Sequence, residues 1–354
     1  MNSPRPASSA LTAFVVASRY MPVYIALVLL VVVASIWAPA TLRGPSLRAI
    51  APVGTLLAIA ALGQMLVVMT GGIDLSVPGS LTLAAVITVG VGHGADDRVG
   101  PAIVVALSAV ALVGLVNGIL IGGIGLNPLI VTLAVGQIAS GIAFRYYTSV
   151  AIQTPVPKGL SGWTSTRLLG VPRTFWLGVA VTVVLIVLFR FTTVGRRFQV
   201  VGANPTASWI AGLRVNLNRV SAYVVAAMLY GGTGILIASY LRTISITIGA
   251  PYLLGPIAAV VIGGASLTGG LASPLSTWAA AFFLAGLNQM MRVLGLPTAL
   301  QFVVFGVVIV GGMLISGDRI IRAVEHVLRE GKRPEPRAGP VVAGIGPGED
   351  GGVI

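Results

Sequence analysis

Long apolar stretches separated by short polar segments run through the 354-residue chain and constrain its fold more than any other feature. Only 9% of the residues are charged, whereas a soluble domain carries about 25%. So little charge cannot cover a water-soluble globule of this size. A largely disordered chain is excluded too, because 56% of the residues are hydrophobic. The sequence therefore predicts an all-α polytopic membrane protein.

Ten stretches of about 17–25 predominantly apolar residues are candidate membrane spans. They lie at about 22–38, 50–70, 77–92, 99–121, 127–145, 174–192, 219–240, 252–264, 274–291 and 298–316. The first is too long for a signal-peptide core and lacks a small-residue cleavage site, so we interpret it as an uncleaved span. The stretch 252–264 is short and leads into a glycine-rich segment, which is typical of a broken helix. The sequence thus predicts about ten transmembrane helices, nine if this stretch does not cross.

The positive charges indicate the orientation of these spans. The chain has 22 Lys and Arg against 9 Asp and Glu, a net charge of +13. With the N terminus inside, the inner segments hold thirteen of the Lys and Arg residues and the outer segments hold nine. The predicted inner loop 193–219 has four Arg and no acid, which favours cytoplasmic N and C termini. The surplus of Arg therefore indicates the inner membrane face, and nucleic acid is not an expected partner.

Several kinds of chemistry are excluded by residues that the sequence does not contain. The chain has no cysteine, and its two histidines, His93 and His326, lie near no carboxylate cluster. A disulfide framework, a thiolate metal site and a metal enzyme are therefore not expected. Its only lysines, Lys158 and Lys332, follow no glycine-rich phosphate loop. The chain is thus not expected to bind ATP or another cofactor, or to be an enzyme, and energy for active transport would come from a partner.

Segment boundaries follow from the spans and from composition. We predict a cytoplasmic N-terminal segment at 1–21 and a transmembrane domain at 22–316, with an outer loop at 146–173. Apolar residues fall near one side of 317–333, which indicates an amphipathic helix on the inner membrane surface. The Pro- and Gly-rich residues 334–354 are predicted to be disordered.

Asp74 is the one acidic residue near the apolar core of the bundle, since the other eight lie in an outer loop or in the C-terminal tail. A carboxylate close to lipid is costly unless it is solvated or partnered, so it is a candidate functional residue. The alternative is structural. Gly71 and Gly72 would end one helix, and Asp74 with Ser76 would cap the next. The two roles are compatible.

Uncharged polar residues in or beside the spans are the second group of candidates. With the turn residues they form a predicted signature and translocation path: Gln64, Gly71, Gly72, Asp74, Ser76, Asn117, Asn127, Thr132 and Asn288. Each polar side chain on its own is most often an interhelical hydrogen bond. As a set they suit a neutral polyhydroxyl solute, because passage of an ion would favour rings of one charge. Gly114, Gly118 and Gly122 instead form a small-residue face for helix packing.

The inner loop 193–219 contains a short amphipathic helix. Asn204 is placed to cap it and Pro205 to occupy its first position, while Trp209, Ile210 and Leu213 fall on one side. One interpretation is a helix resting on lipid headgroups. The other is a docking surface for a cytoplasmic partner, with the helix inserted in a groove of that partner.

Several segments resemble the inner-membrane permease subunits of sugar ABC importers of the ribose, xylose and autoinducer-2 type. The most specific is QMLVVMTGGIDLS at Gln64–Ser76. The segments GLVNGILI at Gly114–Ile121, GLNPLIVTL at Gly125–Leu133 and AAVVIGGASLTGG at Ala258–Gly270 are similar to later blocks of that family. The similarity runs in family order over about residues 50–315.

The resemblance implies a transport subunit in the bacterial inner membrane that passes a monosaccharide or similar polyol. Its implied partners are an ABC ATPase that uses ATP and Mg²⁺, an extracytoplasmic sugar-binding protein that docks on 146–173, and a second permease subunit, with lipid around them. It also implies that the helix of the coupling loop 193–219 docks on the ATPase. The residues assigned to this coupling helix are Asn204, Pro205, Ala207, Trp209, Ile210, Ala211, Gly212 and Leu213.

The sequence leaves two other functions open. A permease for branched-chain amino acids or nucleosides would share the bundle, although such relatives typically lack the GGIDLS signature. A stand-alone secondary carrier would need no partner, but it usually requires buried ionisable groups in its path, and Asp74 alone is slight support. A membrane enzyme is the weakest alternative, because no nucleophile–base pair or carboxylate pair occurs in the spans.

Overall fold

The computed structural model describes residues 8–151 and 154–316, and this part of the chain is almost entirely helical. Its α-helices are α1 (Ser8–Trp37), α2 (Gly44–Met69), α3 (Val77–Gly92), α4 (Val99–Gly118), α5 (Pro128–Tyr146), α6 (Lys158–Ser165), α7 (Arg173–Phe191), α8 (Thr193–Ala203), α9 (Pro205–Ile210), α10 (Val215–Leu241), α11 (Gly255–Ile262), α12 (Pro274–Val293) and α13 (Thr298–Ser316). Short 3₁₀ turns span Pro39–Leu42, Asp96–Arg98 and Ala250–Tyr252, and π turns span Ile119–Gly123 and Tyr147–Ala151. The predicted amphipathic helix at 317–333, the predicted tail at 334–354 and residues 1–7 lie outside the described residues.

Every predicted span coincides with one of these helices, although the ends differ. Helix α1 begins at Ser8, before the apolar run from Pro22, and α2 begins at Gly44. The difference arises because hydropathy marks the apolar part of a helix, whereas turns and caps set its ends. Six helical segments of the described chain are long and apolar enough to cross a membrane: Arg19–Trp37, Gly44–Met69, Asp96–Gly123, Pro128–Val150, Arg173–Phe191 and Val215–Leu241. The helical, polytopic class is confirmed, and the count of ten stays a prediction.

The predicted stretch 252–264 is a short helix, α11, that ends at the glycine-rich segment, as expected of a broken helix. It has only 8 residues, about 12 Å of helix, against a hydrocarbon core of about 30 Å. It is followed by Gly263 and by Gly264, whose φ is +81°. The chain then continues to α12 through a glycine-rich loop at 263–273 without regular secondary structure.

The bundle is built around α2, and the outer helices turn apolar side chains outward. In the most apolar stretch of α2, 83% of the residues are buried, against 17% in α1. Helix α2 packs against α7, α10, α11 and α12, while α3 packs against α4, α5 and α10. On the outer helices Val28, Ile130 and Val184 are exposed. Apolar surface of this kind is stable in lipid and not in water, which fits a membrane-embedded bundle.

The predicted small-residue face of α4 lies directly against α10. A β-carbon added at Gly114 would lie 2.8 Å from the Cα of Val224, and one at Gly118 would lie 2.7 Å from the Cα of Val220. A β-carbon added at Gly122 would lie 2.9 Å from the Cβ of Arg219. The two backbones touch because these residues lack side chains, and close approach of this kind stabilises helix pairs in lipid.

The described residues of the segment predicted as an outer loop at 146–173 include one helix and one β-hairpin. Helix α6 is fixed to α10 by the Thr164 and Ser239 hydroxyls, 2.9 Å apart, and by Ser239 Oγ donating to Leu160 O at 2.8 Å. Strands β1 (Arg167–Leu168) and β2 (Val171–Pro172) form an antiparallel hairpin with Arg167 opposite Pro172. Its tip residue Leu169 is 83% exposed. The segment therefore presents a fixed surface at one end of the bundle.

The α4–α10 contact predicts the cost of adding a side chain there. We expect Gly118→Leu to lower the free energy of unfolding by about 1–3 kcal/mol or more, because Leu must displace the α10 backbone. The measurement is the thermal unfolding midpoint in detergent. Gly141→Leu on α5 is the matched control, since Gly141 has no atom within 4 Å of the added β-carbon. Equal midpoints for the two variants would contradict the contact.

Candidate functional site

A turn folded into the bundle joins α2 to α3 and contains the signature residues. Helix α2 ends at Met69, and the N–H groups of Gly71 and Gly72 donate to the carbonyls of Val68 (2.9 Å) and Val67 (3.3 Å). Gly71 has φ = +81°, a conformation that glycine adopts without the strain of a Cβ. The predicted helix end at Gly71 and Gly72 is therefore confirmed. The turn then brings Asp74 back into the bundle.

Asp74 is completely buried and is held by the next residues of its own turn. Its Oδ1 accepts hydrogen bonds from Ser76 N at 2.8 Å and from Ser76 Oγ at 2.6 Å. Ser76 is the N-cap residue of α3, but its side chain makes no capping bond. Asp74 thus fixes the entry to α3 by binding the N-cap residue, and it does not bind an N–H of the first helical turn.

Asn117 extends this pair to α4. Its Nδ2 donates to Ser76 Oγ at 3.0 Å, and its side chain is fully buried. Asp74, Ser76 and Asn117 therefore form one hydrogen-bonded chain from the turn to α4. A buried polar network of this kind stabilises the helix arrangement in which its hydrogen bonds form, because breaking one of these bonds leaves a buried polar group without a partner.

Gln64 on α2 holds the backbone of Asp74 from the other side. We assign its amide so that Oε1 accepts from Asp74 N and Nε2 donates to Asp74 O, both at 3.1 Å, because the opposite orientation places like groups together. In this orientation Nε2 also donates to the hydroxyl of Tyr230, at 3.1 Å. The side-chain amide of Gln64 thus bonds both the N–H and the carbonyl of Asp74, as a residue of a neighbouring β-strand would do.

Thr132 on α5 holds the turn from a third helix. Its Oγ1 accepts from Leu75 N at 2.9 Å and donates to Pro128 O at 2.8 Å. A β-carbon added at the neighbouring Gly136 would lie 2.8 Å from the Cα of Ser76. Side chains from α2, α4 and α5 therefore converge on residues 74–76, just before α3.

Three buried polar atoms at this site have no hydrogen-bond partner in the described part of the chain. They are Asp74 Oδ2, Asn117 Oδ1 and the hydroxyl of Tyr223. The hydroxyl of Tyr223 stands where a side chain at Gly72 would lie. Each unsatisfied group costs about 1–3 kcal/mol. The turn is therefore well held but not fully satisfied, and another arrangement could satisfy these atoms better.

The structure brings together most, but not all, of the predicted path residues. Five of them form the cluster and are fully buried: Gln64, Asp74, Ser76, Asn117 and Thr132. Asn127 is exposed and caps α5 by accepting from Leu129 N at 2.9 Å. Asn288 is half-buried on α12, whose main contacts are with α1, α2 and α11. In this conformation the cluster residues hold a turn, and their contact with a solute stays a prediction.

Two residues of the site were not among the candidates from the sequence. Tyr223 and Tyr230 lie on α10 and are both fully buried. A tyrosine in the middle of an apolar helix was the available signal, because a buried hydroxyl needs a partner. That signal does not say which residue of another helix supplies the partner.

The second candidate site is the α8–α9 segment in the 193–219 loop. Asn204 caps α9 as predicted, because its Oδ1 accepts from Ala207 N at 2.9 Å, and Pro205 is the first residue of the helix. Trp209 is 73% exposed and Ile210 is 75% exposed. Gly212, with φ = +78°, ends the segment. Two large apolar side chains thus project from a short, capped helix that is flanked by exposed Arg196, Arg197 and Arg214.

Metal chemistry has no visible basis in the described residues. Among residues 8–151 and 154–316 no group of three or more His, Cys, Asp or Glu is placed to hold an ion. The two candidate sites are thus a hydrogen-bonded buried turn and an exposed apolar helix.

Comparison with known proteins identifies similar chains over most of this length. Residues 46–313 match the family described as branched-chain amino acid transport system, permease component. The chain is 31% identical over 265 residues to the ribose import permease of Escherichia coli K12, covering 74% of this chain and 82% of that protein. No solved structure matches the chain.

Two permeases for other sugars are similar to the same extent. The chain is 30% identical over 267 residues to the L-arabinose ABC transporter permease of Azospirillum brasilense, covering 75% of this chain and 78% of that protein. It is also 30% identical over 271 residues to the galactofuranose transporter permease of Escherichia coli K12, covering 76% of this chain and 79% of that protein. The region of the family match, residues 46–313, contains both the buried turn and the α8–α9 segment.

The hydrogen bonds of Asp74 predict how substitutions there affect stability. We expect Asp74→Ala to lower the free energy of unfolding by about 1–3 kcal/mol, because Ser76 N and Oγ lose their acceptor inside the bundle. Asp74→Asn retains Oδ1 and removes a buried charge, so its loss should be smaller. Thermal unfolding in detergent measures both, with the exposed Asp97→Ala as control. A larger loss for Asn than for Ala would contradict the assigned bonds.

Proposed function

Because the chain belongs to the family of permease components described for branched-chain amino acid transport systems, we propose that it is the membrane-spanning subunit of a sugar ABC importer. Members of this family are transport components and not enzymes. Bacterial permeases of this kind are inner-membrane proteins, and the apolar surface of the described helices agrees with that location. The observation that carries the proposal is the 30–31% identity to three sugar permeases over 74–76% of the chain.

The proposed solute is a monosaccharide or a similar polyol. Three similar proteins are named for ribose, L-arabinose and galactofuranose, whereas the family description names branched-chain amino acids. The polar side chains of the bundle support the sugar, because Gln64, Asn117 and Thr132 are neutral and can exchange hydrogen bonds. An amino acid carries two charges and would favour charged partners along its path.

The finer topology that we propose has ten spans with both termini in the cytoplasm. The coincidence of each apolar stretch with a helix supports the ten spans. The contact of Gly269 with Gly202 of α8 and Gly71 of the turn places the end of α2 on the same side as the 193–219 loop. Helix α6 and the hairpin at 167–172 are then at the opposite, outer end. The excess of Arg in the 193–219 loop agrees with an inner location.

The partners that we propose attach at these two ends. An ABC ATPase, which binds ATP and Mg²⁺, would receive Trp209 and Ile210 in a groove of its surface. A sugar-binding protein would dock on the ordered outer surface formed by α6 and the β1–β2 hairpin. A second permease subunit, identical or related, would complete the path, and lipid would cover the remaining apolar faces.

Removing the exposed indole on α9 tests the ATPase interface. We expect Trp209→Ala to reduce ATPase binding by at least about tenfold, since a central aromatic anchor contributes about 2 kcal/mol or more. The tagged chain is purified from its native membrane, and co-purified ATPase is identified by its phosphate-loop sequence and quantified. Trp37→Ala is the matched control, because Trp37 is 68% exposed but lies at the end of α1. Equal loss, or no loss, in both variants would contradict docking through α9.

Single cysteines test the orientation, because the natural chain has none. We expect Ala211→Cys, in the segment after α9, to react with a membrane-impermeant maleimide only after the membrane is opened. Leu169→Cys, at the hairpin tip, should react in intact spheroplasts. The readout is the labelled fraction of purified protein. The reverse pattern would invert the proposed topology, and reaction of both residues from outside would exclude it.

A further inference from the structure

Three segments of backbone meet without intervening side chains where α8 reaches the end of α2. A β-carbon added at Gly202 would overlap the carbonyl oxygen of Met69, the last residue of α2. The same oxygen accepts a hydrogen bond from Gly270 N at 2.9 Å. An added β-carbon at Gly269 would lie 2.6 Å from Gly202 O and 3.1 Å from Gly71 N. We call this contact of Met69, Gly71, Gly202, Gly269 and Gly270 the glycine junction.

One side of the glycine junction is continuous with the exposed helix α9. Ser208 of α9 is 1% exposed, although the next two residues project outward, and its Oγ donates to Val200 O of α8 at 3.1 Å. Asn204 N donates to the same carbonyl at 3.1 Å. Helices α8 and α9 are therefore tied together two residues before Gly202. A displacement of α9 must move Gly202, and the absence of side chains leaves no compressible layer between Gly202 and Met69.

The other side of the glycine junction is continuous with the Asp74 turn. Met69 and Gly71 begin the turn, and Asp74 follows three residues after Gly71. The turn is held on its far side by hydrogen bonds from α2, α4 and α5. It also leaves an acceptor, Asp74 Oδ2, and a hydroxyl, on Tyr223, without partners in the described chain. A carboxylate oxygen and a hydroxyl are complementary groups, so a shifted turn in which they pair would recover stability.

We propose that the glycine junction is the positioning element that transmits displacement of the α8–α9 pair to the Asp74 turn. Gly202 acts through Met69 and Gly71, and it does not itself touch the solute. This inference rests on the proposed function, because the displacement comes from an ATPase bound to α9. Coupling between distant sites needs such an element with two arrangements, and the partly satisfied turn supplies it.

The test uses a nitroxide label on Ile73→Cys, a half-buried residue of the turn, in the otherwise cysteine-free chain. The labelled chain is assembled with the ATPase recovered with the wild-type chain, and its spectrum is compared with and without ATP. We expect ATP to change the spectrum of the label. In the Gly202→Ala background the ATPase should still bind, because α9 is unaltered, but the spectral change should be lost.

Two further variants separate transmission from a general packing defect. Gly141→Ala is the matched control, since Gly141 is also a helical glycine but has open space at its β-carbon, and it should retain the full spectral change. Ser208→Ala removes the α9–α8 side-chain bond without adding volume. We expect the ATP-induced change in the equilibrium constant between the two label states to be about fivefold smaller in this variant, because one net hydrogen bond contributes about 1 kcal/mol. If Gly202→Ala fails to fold, as judged by size-exclusion chromatography, the response of the Ser208→Ala variant tests transmission by itself.

The outcomes distinguish this inference from the proposed function. If no ATPase binds the wild-type chain, the proposed function fails and this inference fails with it. If the ATPase binds but ATP leaves the Ile73 label unchanged, transmission to the turn is wrong while the function stands. An equal response in the wild-type, Gly202→Ala and Ser208→Ala backgrounds would also overturn the role of the glycine junction.

Discussion

The buried carboxylate of Asp74 depends on hydrogen bonds from within the chain, and the packing of the surrounding helices depends on that turn being held. The groups that hold it come from three helices: Gln64 from α2, Asn117 from α4 and Thr132 from α5. Buried polar groups cost stability unless they are hydrogen-bonded, so the helices must be placed correctly for the turn to form. These bonds connect α2 to the turn, to α4 and to α10, and they fix the turn against α5.

Close backbone contact is the second feature on which the structure depends, because it joins helices without intervening side chains. At Gly114 and Gly118 the contact joins two long helices and stabilises the bundle. At Gly202 the contact joins a short helix to the end of the central one. A side chain at either place would separate the backbones. The two contacts differ in what they join, since α4 and α10 meet along their lengths at Gly114 and Gly118, whereas α8 meets the end of α2 at Gly202.

Features that depend on neighbouring residues could be predicted from the sequence. The apolar stretches indicated the positions of the helices, Gly71 and Gly72 the end of α2, and Asn204 with Pro205 the start of α9. Asp74 could also be singled out, because it is the one acid near the apolar core. These features follow from local propensity and from the cost of charge in lipid, which a single sequence displays.

Features that depend on contacts between distant segments could not be predicted. Thr132 meets Leu75 from 57 residues away, and Tyr230 meets Gln64 from 166 residues away. Asn288 has the same chemistry as Asn117 but lies on α12, away from the cluster. The glycine junction could not be predicted for the same reason, since the sequence does not show which backbone approaches Gly202 of α8 or the loop glycines Gly269 and Gly270.

The most direct test of the central claim is solute uptake by proteoliposomes that contain the chain, its ATPase and its binding protein. Uptake of radiolabelled ribose, L-arabinose and a branched-chain amino acid is measured with ATP inside and without it. We predict that ATP drives uptake of a sugar and that no uptake occurs when the ATPase is omitted. Uptake by the chain alone, without ATP, would contradict this function and establish a secondary carrier, and ATP-driven uptake of the amino acid alone would contradict the sugar.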